Sequence, residues 1–203
     1  MLIHQIKMPV QKRSIERLEK VVETTILMLE TQSIEQCSIQ EISTLSGVPR
    51  NYIYQYFPTI NHLFSLIVSR YFAKLRPYLI SDAERYRGWL ILDIIEDILA
   101  KACRFYNENK VASILILGGP VNIDGFSLQE MVIDQISEDL IMMLKQISIS
   151  FALQNQNSIT LMIELMFALM KRSFYHHGKI TIEIQKEILL VCEAYLEKKS
   201  IFL

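Results

Sequence analysis

The sequence predicts an all-α protein of about nine helices, and three observations support this prediction. Apolar residues recur every three or four positions along most of the 203-residue chain, as they do on the buried face of a helix. Only 6 Gly and 5 Pro are present, too few for a turn-dense β-sandwich. Hydrophobic residues make up 51% of the chain and charged residues 21%, which excludes a disordered protein.

The first three helices are predicted from local signals. Residues 13–31 have apolar positions at helical spacing and should form a long first helix. The stretch 38–41, Ser-Ile-Gln-Glu, has the form of a capping box that opens a short second helix. Gly47 suits the left-handed position that ends this helix, and Pro49 begins a third helix that runs to Tyr56.

The later helices are separated by Pro, Gly and Asn. Phe57-Pro58 ends the third helix, because the residue before a proline is pushed out of the α region. A fourth helix should then continue until Pro77. Five more are predicted at about 89–106, 112–117, 127–153, 158–177 and 180–199.

Charge is unevenly distributed along the chain, although the formal net charge is only -1. Residues 1–76 carry nine basic and six acidic side chains, whereas residues 77–203 carry twelve basic and sixteen acidic ones. Contact with phosphate is therefore expected in the N-terminal part. We expect two domains, one at 9–62 that contains the first three helices and a second helical domain at 63–203.

The cysteines and apolar runs indicate the compartment. Cys37, Cys103 and Cys192 are far apart and have neither metal-ligand nor redox spacing, which fits reduced thiols. The first thirteen residues lack the apolar core and cleavage site of a secretion signal. Apolar runs are broken well before the roughly 18 residues of a membrane span. We therefore expect a soluble cytoplasmic protein without a membrane partner.

Two short helices joined by a glycine turn, after a longer amphipathic helix, form the arrangement of a helix-turn-helix DNA reader. The first short helix braces on the DNA backbone, and the second enters the major groove. The spacing predicts a buried side made of Ile39, Ile42, Leu45, Val48 and Ile53. The outward side is left with Arg50, Asn51, Tyr52 and Gln55.

In this stretch the sequence resembles the TetR family of bacterial transcriptional repressors. The matching segments are SIQEI at 38–42, LSGVPR at 45–50 and IYQYFP at 53–58, with Leu63-Phe64 beyond them. The resemblance covers roughly residues 13–65. The rest of the chain matches only in architecture, as a run of helices that in this family carries the effector pocket and the dimer interface.

The resemblance implies roles for individual residues. Ser38 and Gln40 would lie at the phosphate-facing end of the bracing helix. Tyr54 would contact the DNA backbone, and Tyr56 would be partly structural. Side-chain chemistry agrees, because Arg pairs with guanine, Asn and Gln pair with adenine, and Tyr donates to phosphate. The residues implied to reach base edges are Arg50, Asn51, Tyr52 and Gln55.

The sequence departs from the family pattern at the start of the fourth helix. Ile60 stands where the family commonly has a phosphate-binding lysine, and His62 replaces the acidic partner of a capping box. Thr59 can still cap this helix. The missing cation puts the affinity for DNA in doubt more than the fold. Replacement charge is expected from Lys12, Arg13 or Arg17.

Methionine and aromatic residues recur at helical spacing in the second domain. As a set they would line a cavity for an apolar or amphipathic effector, because methionine adapts to varied shapes. For any one of these residues taken alone, the alternative to lining a cavity is ordinary packing in the core. The candidate pocket residues are Trp89, Tyr106, Met131, Met142, Phe167 and Met170.

The last two predicted helices have broad apolar faces. Such a pair can pack against its copy as a four-helix bundle, which is how TetR-like proteins dimerise. Two-fold symmetry also lets two short recognition helices address the half-sites of a palindrome. The candidate interface residues are Ile159, Ile163, Phe167, Ile184, Ile188, Val191 and Tyr195.

The sequence contains no catalytic motif and no set of metal ligands. We therefore expect a protein that is not an enzyme and that binds neither a metal nor a cofactor. His176 and His177 are adjacent and point about 100° apart on a helix, so they do not share one ion easily. The sequence thus predicts a homodimeric transcriptional regulator of the repressor type, bound to a palindromic operator on double-stranded DNA and released by a small molecule. The alternative is a helical small-molecule or partner-binding protein whose helix-turn-helix no longer reads an operator.

Overall fold

The computed structural model describes residues 9–80, 83–118, 123–147 and 156–199. Within these ranges the regular structure is entirely helical, which confirms the predicted all-α class. Two 3-10 turns, Ile34–Gln36 and Glu84–Tyr86, and a π-helical turn, Ser113–Leu117, supplement nine α-helices there. The α-helices are α1 Lys12–Thr31, α2 Ile39–Ser46, α3 Arg50–Tyr56, α4 Ile60–Leu79, α5 Ile91–Glu108, α6 Lys110–Ala112, α7 Ile123–Gln146, α8 Gln156–His177 and α9 Ile182–Lys199.

The start of α2 follows the sequence prediction only in part. The Ser38 hydroxyl accepts the backbone N–H of Glu41 at 3.2 Å, which satisfies one of the free donors at the helix start. The reciprocal pair of bonds predicted at 38–41 is formed instead one turn earlier, between Ser33 and Gln36. Gly47 ends α2 in the left-handed region with φ of 67°, as predicted.

α4 does not end at Pro77, as the sequence predicts, but continues to Leu79. A proline inside a helix removes the hydrogen bond to the carbonyl four residues earlier, which costs stability. Leu75 and Leu79 are almost completely buried in the last two turns, and this burial offsets the lost bond. The predicted end of the seventh helix, 148–153, lies outside the described residues.

The chain packs as two units. Unit 1 comprises the described residues of Met1–Tyr71 and Lys110–Leu128, and unit 2 those of Phe72–Asn109 and Gln129–Leu203. These units differ from the expected domains 9–62 and 63–203 in two respects. α4 is divided between the units, and the segment containing α6 belongs to unit 1. Helical periodicity gives no information about which core a helix face joins.

Unit 1 has one apolar core. Lys110 Nζ donates to the backbone oxygen of Glu30 at 2.6 Å, which ties α6 to the end of α1. Leu45, which the spacing placed on the buried side, is 59% exposed. The most deeply buried core residues are Leu18, Val21, Val22, Leu29, Ile42, Ile53, Phe57, Leu63 and Ile67.

An ion pair joins α1 to α4 within unit 1. Both guanidinium nitrogens of Arg70 donate to the two carboxylate oxygens of Glu19, each at 2.6 Å. This bidentate geometry is the strongest form of such a pair. The hydrogen bonds from Arg70 hold the pKa of Glu19 below its ordinary value.

Polar side chains tie the helices of unit 2 together around its apolar core. Arg76 of α4 donates to both carboxylate oxygens of Asp139 on α7, at 2.8 and 3.0 Å. Asn107, at the end of α5, donates to the backbone oxygen of Ile180 at 2.9 Å and accepts its N–H at 2.8 Å. These bonds fix α4 on α7, and fix the end of α5 beside the segment that precedes α9.

Arg70→Gln is expected to lower the free energy of unfolding at pH 7 by about 0.5–1 kcal/mol, the range for a half-exposed pair. Because the pKa of Glu19 is lowered in the native state, the stabilisation is present above the ordinary Glu pKa of about 4.3 and is lost as the pH falls through the native value. Urea unfolding of both proteins from pH 7 to pH 3 measures this. Arg104→Gln, at an exposed arginine, is the control. A difference between the Arg70 variant and the parent that stays constant over this pH range would contradict the assignment.

Candidate nucleic-acid interface

The turn between α2 and α3 is fixed by two serines that sequence analysis did not single out. The Ser43 hydroxyl donates to the backbone oxygen of Val48 at 2.7 Å, and the Ser46 hydroxyl accepts the N–H of Val48 at 3.2 Å. Val48 itself is buried. With Gly47 in the left-handed region, these bonds define the direction in which α3 leaves α2.

α3 presents a polar face to solvent. Ile53 on its inner side is fully buried, and Phe57 just after its end is also fully buried, so the opposite side is open. Ser38 and Gln40, at the start of α2, are exposed as well. The exposed members of the predicted α3 set are Arg50, Asn51, Tyr54 and Gln55.

Tyr52 and Tyr56 pack on unit 1 instead of pointing outward. The hydroxyl of Tyr52 donates to the backbone oxygen of Ser14 on α1 at 2.8 Å. Its ring lies 5.2 Å from the ring of Tyr56, centroid to centroid, and both residues are half-buried. The resemblance implied that Tyr52 reaches a base edge, but its hydroxyl is engaged by α1.

The start of α4 carries no cationic side chain within the described structure. Ile60 is half-buried and packs against the core of unit 1. The Thr59 hydroxyl lies 2.8 Å from Nδ1 of His62, so a histidine ring is the partner of the hydroxyl that was expected to cap the helix. The phosphate-binding lysine of the family therefore has an apolar replacement that contributes to the fold.

Unit 2 encloses an apolar cavity of about 40 Å³. Three of the six predicted pocket residues line it, Tyr106, Phe167 and Met170. The prediction missed other lining residues, because the period of a helix does not show which neighbour a face meets. The remaining lining residues are Leu75, Leu79, Ile80, Ile95, Ile98, Ala102, Ile136, Leu140, Met162, Ile163 and Met166.

The other three predicted pocket residues lie elsewhere. Trp89 packs edge-on against the ring of Tyr86, with a centroid distance of 5.4 Å, and is 38% exposed. Met142 is 69% exposed and borders an open groove beside the Arg76–Asp139 pair. Met131 is half-buried on α7 and does not line the cavity.

The predicted dimer residues are mostly in the protomer's own core. Ile159, Ile163, Phe167 and Ile188 are buried within the single chain, so they have little surface to offer a partner. Val191 is 37% exposed, and the two remaining residues, Ile184 and Tyr195, are half-buried. The exposed apolar residues of α8 and α9 are Leu161, Leu165, Tyr175, Ile182, Leu190 and Val191.

The described ranges contain neither a metal-ligand cluster nor a helix that could span a membrane. No group of three or more His, Cys, Asp or Glu side chains there is arranged to hold a metal ion. None of the helices there combines the length and apolarity needed to cross a bilayer.

All three cysteines are free and buried, and burial raises the pKa of Cys103 to about 12 and that of Cys192 to about 11. These thiols are therefore protonated at neutral pH.

No protein-family model matches the sequence, and no curated protein matches it either. Solved structures do match. A TetR transcriptional regulator from Rhodococcus sp. RHA1 is similar with a TM-score of 0.63 and 18% identity, over 92% of this chain and 97% of that one. A TetR-family regulator from Streptomyces coelicolor has a TM-score of 0.57 and 18% identity, over 92% and 98%. The dihydroxyacetone kinase operon activator DhaS has a TM-score of 0.59 and 17% identity, over the same shares. The chain therefore has the all-α fold of TetR-family transcriptional regulators.

Proposed function

We propose that this protein is a transcriptional regulator that binds a palindromic DNA operator as a homodimer and is released by a small molecule. The observation that carries the proposal is the helix-turn-helix of unit 1, whose second helix is anchored by Ile53 and leaves four polar side chains exposed. The similar solved structures are named as TetR-family regulators, and the regulatory role comes to this chain from them as a proposal.

Base recognition is assigned to three exposed residues of α3. Arg50 lies in its first turn, and its guanidinium is suited to the two acceptors of guanine in the major groove. Asn51 and Gln55 are four residues apart, so they share one face of the helix, and their amides are suited to adenine. Tyr54 is 49% exposed, and its hydroxyl is suited to a phosphate oxygen.

Dimerisation is assigned to exposed apolar side chains of α8 and α9. Leu161 and Leu165 are four residues apart, and they are 50% and 42% exposed. Leu190 and Val191 on α9 are 58% and 37% exposed. Because the opposite faces of both helices are already buried in the protomer, these residues replace the buried isoleucines in the proposed four-helix contact.

The effector site is assigned to the apolar cavity of unit 2. Its lining contains no charged side chain, so an ionised ligand would lose its hydration without compensation. Methionines at 162, 166 and 170 line one wall, and their flexible side chains allow the small cavity to enlarge. Leu75 and Leu79 of α4 also line it, while Leu63 and Ile67 of the same helix belong to the core of unit 1. A ligand that displaces the end of α4 would therefore bias the position of the DNA-binding helices.

Repression is the proposed direction of regulation, since a bound dimer needs no further contact to block transcription from its operator. One of the similar structures is named as the dihydroxyacetone kinase operon activator DhaS, so activation of transcription is the alternative direction of regulation. The second candidate function is a helical binding protein whose helix-turn-helix no longer reads DNA. Ile60, at the start of α4, favours this candidate because it contributes no charge.

Selection from a pool of random duplexes at near-physiological salt is expected to enrich a palindrome with half-sites about one helical turn, or a multiple of it, apart. Arg50→Ala should relax the preference at one base pair of each half-site, at a cost of about 1–3 kcal/mol, because a bidentate contact is lost. Sequencing of the retained duplexes measures both effects.

Arg104→Ala is the matched control for this selection, because Arg104 is an exposed arginine of α5 in unit 2. Its enriched sequences should equal those of the unaltered protein. A folded dimer that enriches no sequence would favour the second candidate function. An unchanged preference in Arg50→Ala would remove Arg50 from the set of base-reading residues.

Leu165→Glu is expected to convert the dimer to a monomer, because a carboxylate would be buried in an apolar interface. Light scattering should give twice the chain mass of 23.7 kDa for the unaltered protein and a single chain mass for the variant. Leu27→Glu, at a leucine of α1 that is 63% exposed, should remain dimeric. A Leu165→Glu protein that keeps the dimer mass would place the interface elsewhere.

Toluene is expected to raise the melting temperature, whereas benzoate and benzylammonium at equal concentration are not, because the cavity offers their charges no partner. Ala102→Leu adds carbon atoms inside the cavity and should abolish the effect of toluene. The measurement is thermal unfolding of both proteins with each compound. The shift is taken relative to the melting temperature of the same protein without any compound. Equal stabilisation by all three compounds would contradict an apolar site.

A further inference from the structure

Most of the positive charge of α1 lies on one side of the helix. Three exposed cations recur at intervals of four and three residues, so they form one stripe along the helix. Residues two positions apart on a helix point about 200° apart, which puts Glu19 on nearly the opposite side from Arg17. The basic stripe consists of Arg13, Arg17 and Lys20. Glu16 lies three residues from Arg13 and four from Lys20, so it borders this stripe, whereas Glu23 shares the side of Glu19.

The basic stripe lies beside the helix-turn-helix. The guanidinium carbon of Arg17 is 5.6 Å from the centroid of the Tyr52 ring on α3. Lys20 Nζ is 3.9 Å from the position that a Cβ would take on Gly47, in the turn between α2 and α3. Glu19, on the other side of α1, is bound by Arg70 of α4. Two exposed cations of α1 therefore flank the turn and the recognition helix.

Few other cations are available to this surface. Between Lys20 and Arg70 the sequence contains a single Lys or Arg, which is Arg50. Arg70 is engaged by Glu19, whereas none of the salt bridges among the described residues involves the basic stripe. Because binding to duplex DNA depends on neutralising phosphates, the required charge has to come largely from α1.

We infer that the basic stripe of α1 binds the phosphates of duplex DNA beside the recognition helix, and that Tyr52 positions Arg17 for this contact. The inference rests on the proposed DNA-binding function and names the residues that supply its affinity. The hydrogen bond from Tyr52 to Ser14 holds the ring against α1, and the ring face attracts the guanidinium. Tyr52 is thus a positioning residue that does not read a base.

The salt dependence of binding tests this inference, using a fluorescently labelled duplex of random sequence and anisotropy between about 50 and 200 mM salt. Each phosphate contact contributes about 0.9 to the slope of log affinity against log salt. Arg17→Ala and Lys20→Ala should each reduce the steepness by about 0.9 per bound chain. Arg104→Ala, the matched exposed arginine of unit 2, should leave the slope unchanged.

Two substitutions of Tyr52 separate positioning from base reading. Tyr52→Phe keeps the ring beneath Arg17 and should retain the slope and the base preference of the unaltered protein. Tyr52→Leu removes the ring and should reduce the slope as Arg17→Ala does. Thermal unfolding of both variants shows whether the fold is retained, and rescue by Phe distinguishes positioning from a general loss of packing.

The outcomes separate this inference from the proposed function. Unaltered slopes in Arg17→Ala and Lys20→Ala, with DNA binding by the parent protein, would overturn the inference and leave the proposed function standing. A changed base preference without a changed slope in Arg17→Ala would also overturn it, since Arg17 would then read a base. A folded parent protein that binds no duplex at low salt would overturn both.

Discussion

The left-handed turn at Gly47 is the constraint on which the candidate DNA-binding surface depends. Its φ of 67° costs an ordinary L-residue about 1–2 kcal/mol, and glycine adopts it freely. Ser43 and Ser46 then fix the next residue, Val48, by two hydrogen bonds, so the direction of α3 is set before any long-range contact. Burial of Ile53 completes the arrangement and determines which side of α3 remains open.

α1 has two roles in unit 1. Its apolar side supplies a large part of the core, and its hydrogen bond with Tyr52 attaches α3 to it. One position of this seven-residue helix is thereby used for attachment to α1, and the polar side chains of its open side remain exposed. On α1 the guanidinium of Arg17 lies by the ring of Tyr52, whereas Glu19 is bound by Arg70 of α4.

Unit 2 combines polar bonds between its helices with an apolar cavity among them. The Arg76–Asp139 pair and the two hydrogen bonds of Asn107 fix the ends of its helices, while the cavity among them is lined by side chains that repack easily. α4 contributes side chains to the core of unit 1 and to the lining of this cavity. The absence of charge in the lining limits the chemistry of any occupant to neutral, apolar groups.

The sequence by itself determined the features that depend on neighbouring residues: the all-α class, the bounds of α2 and α3, and the left-handed turn at Gly47. It also determined the uneven distribution of charge between residues 1–76 and residues 77–203. Only the tertiary structure decided what each face meets. Ile188 is buried while Leu190 is exposed, and the hydroxyl of Tyr52 donates to Ser14 of α1. The physical reason is that periodicity is a property of one segment, whereas burial depends on the partner that packs against it.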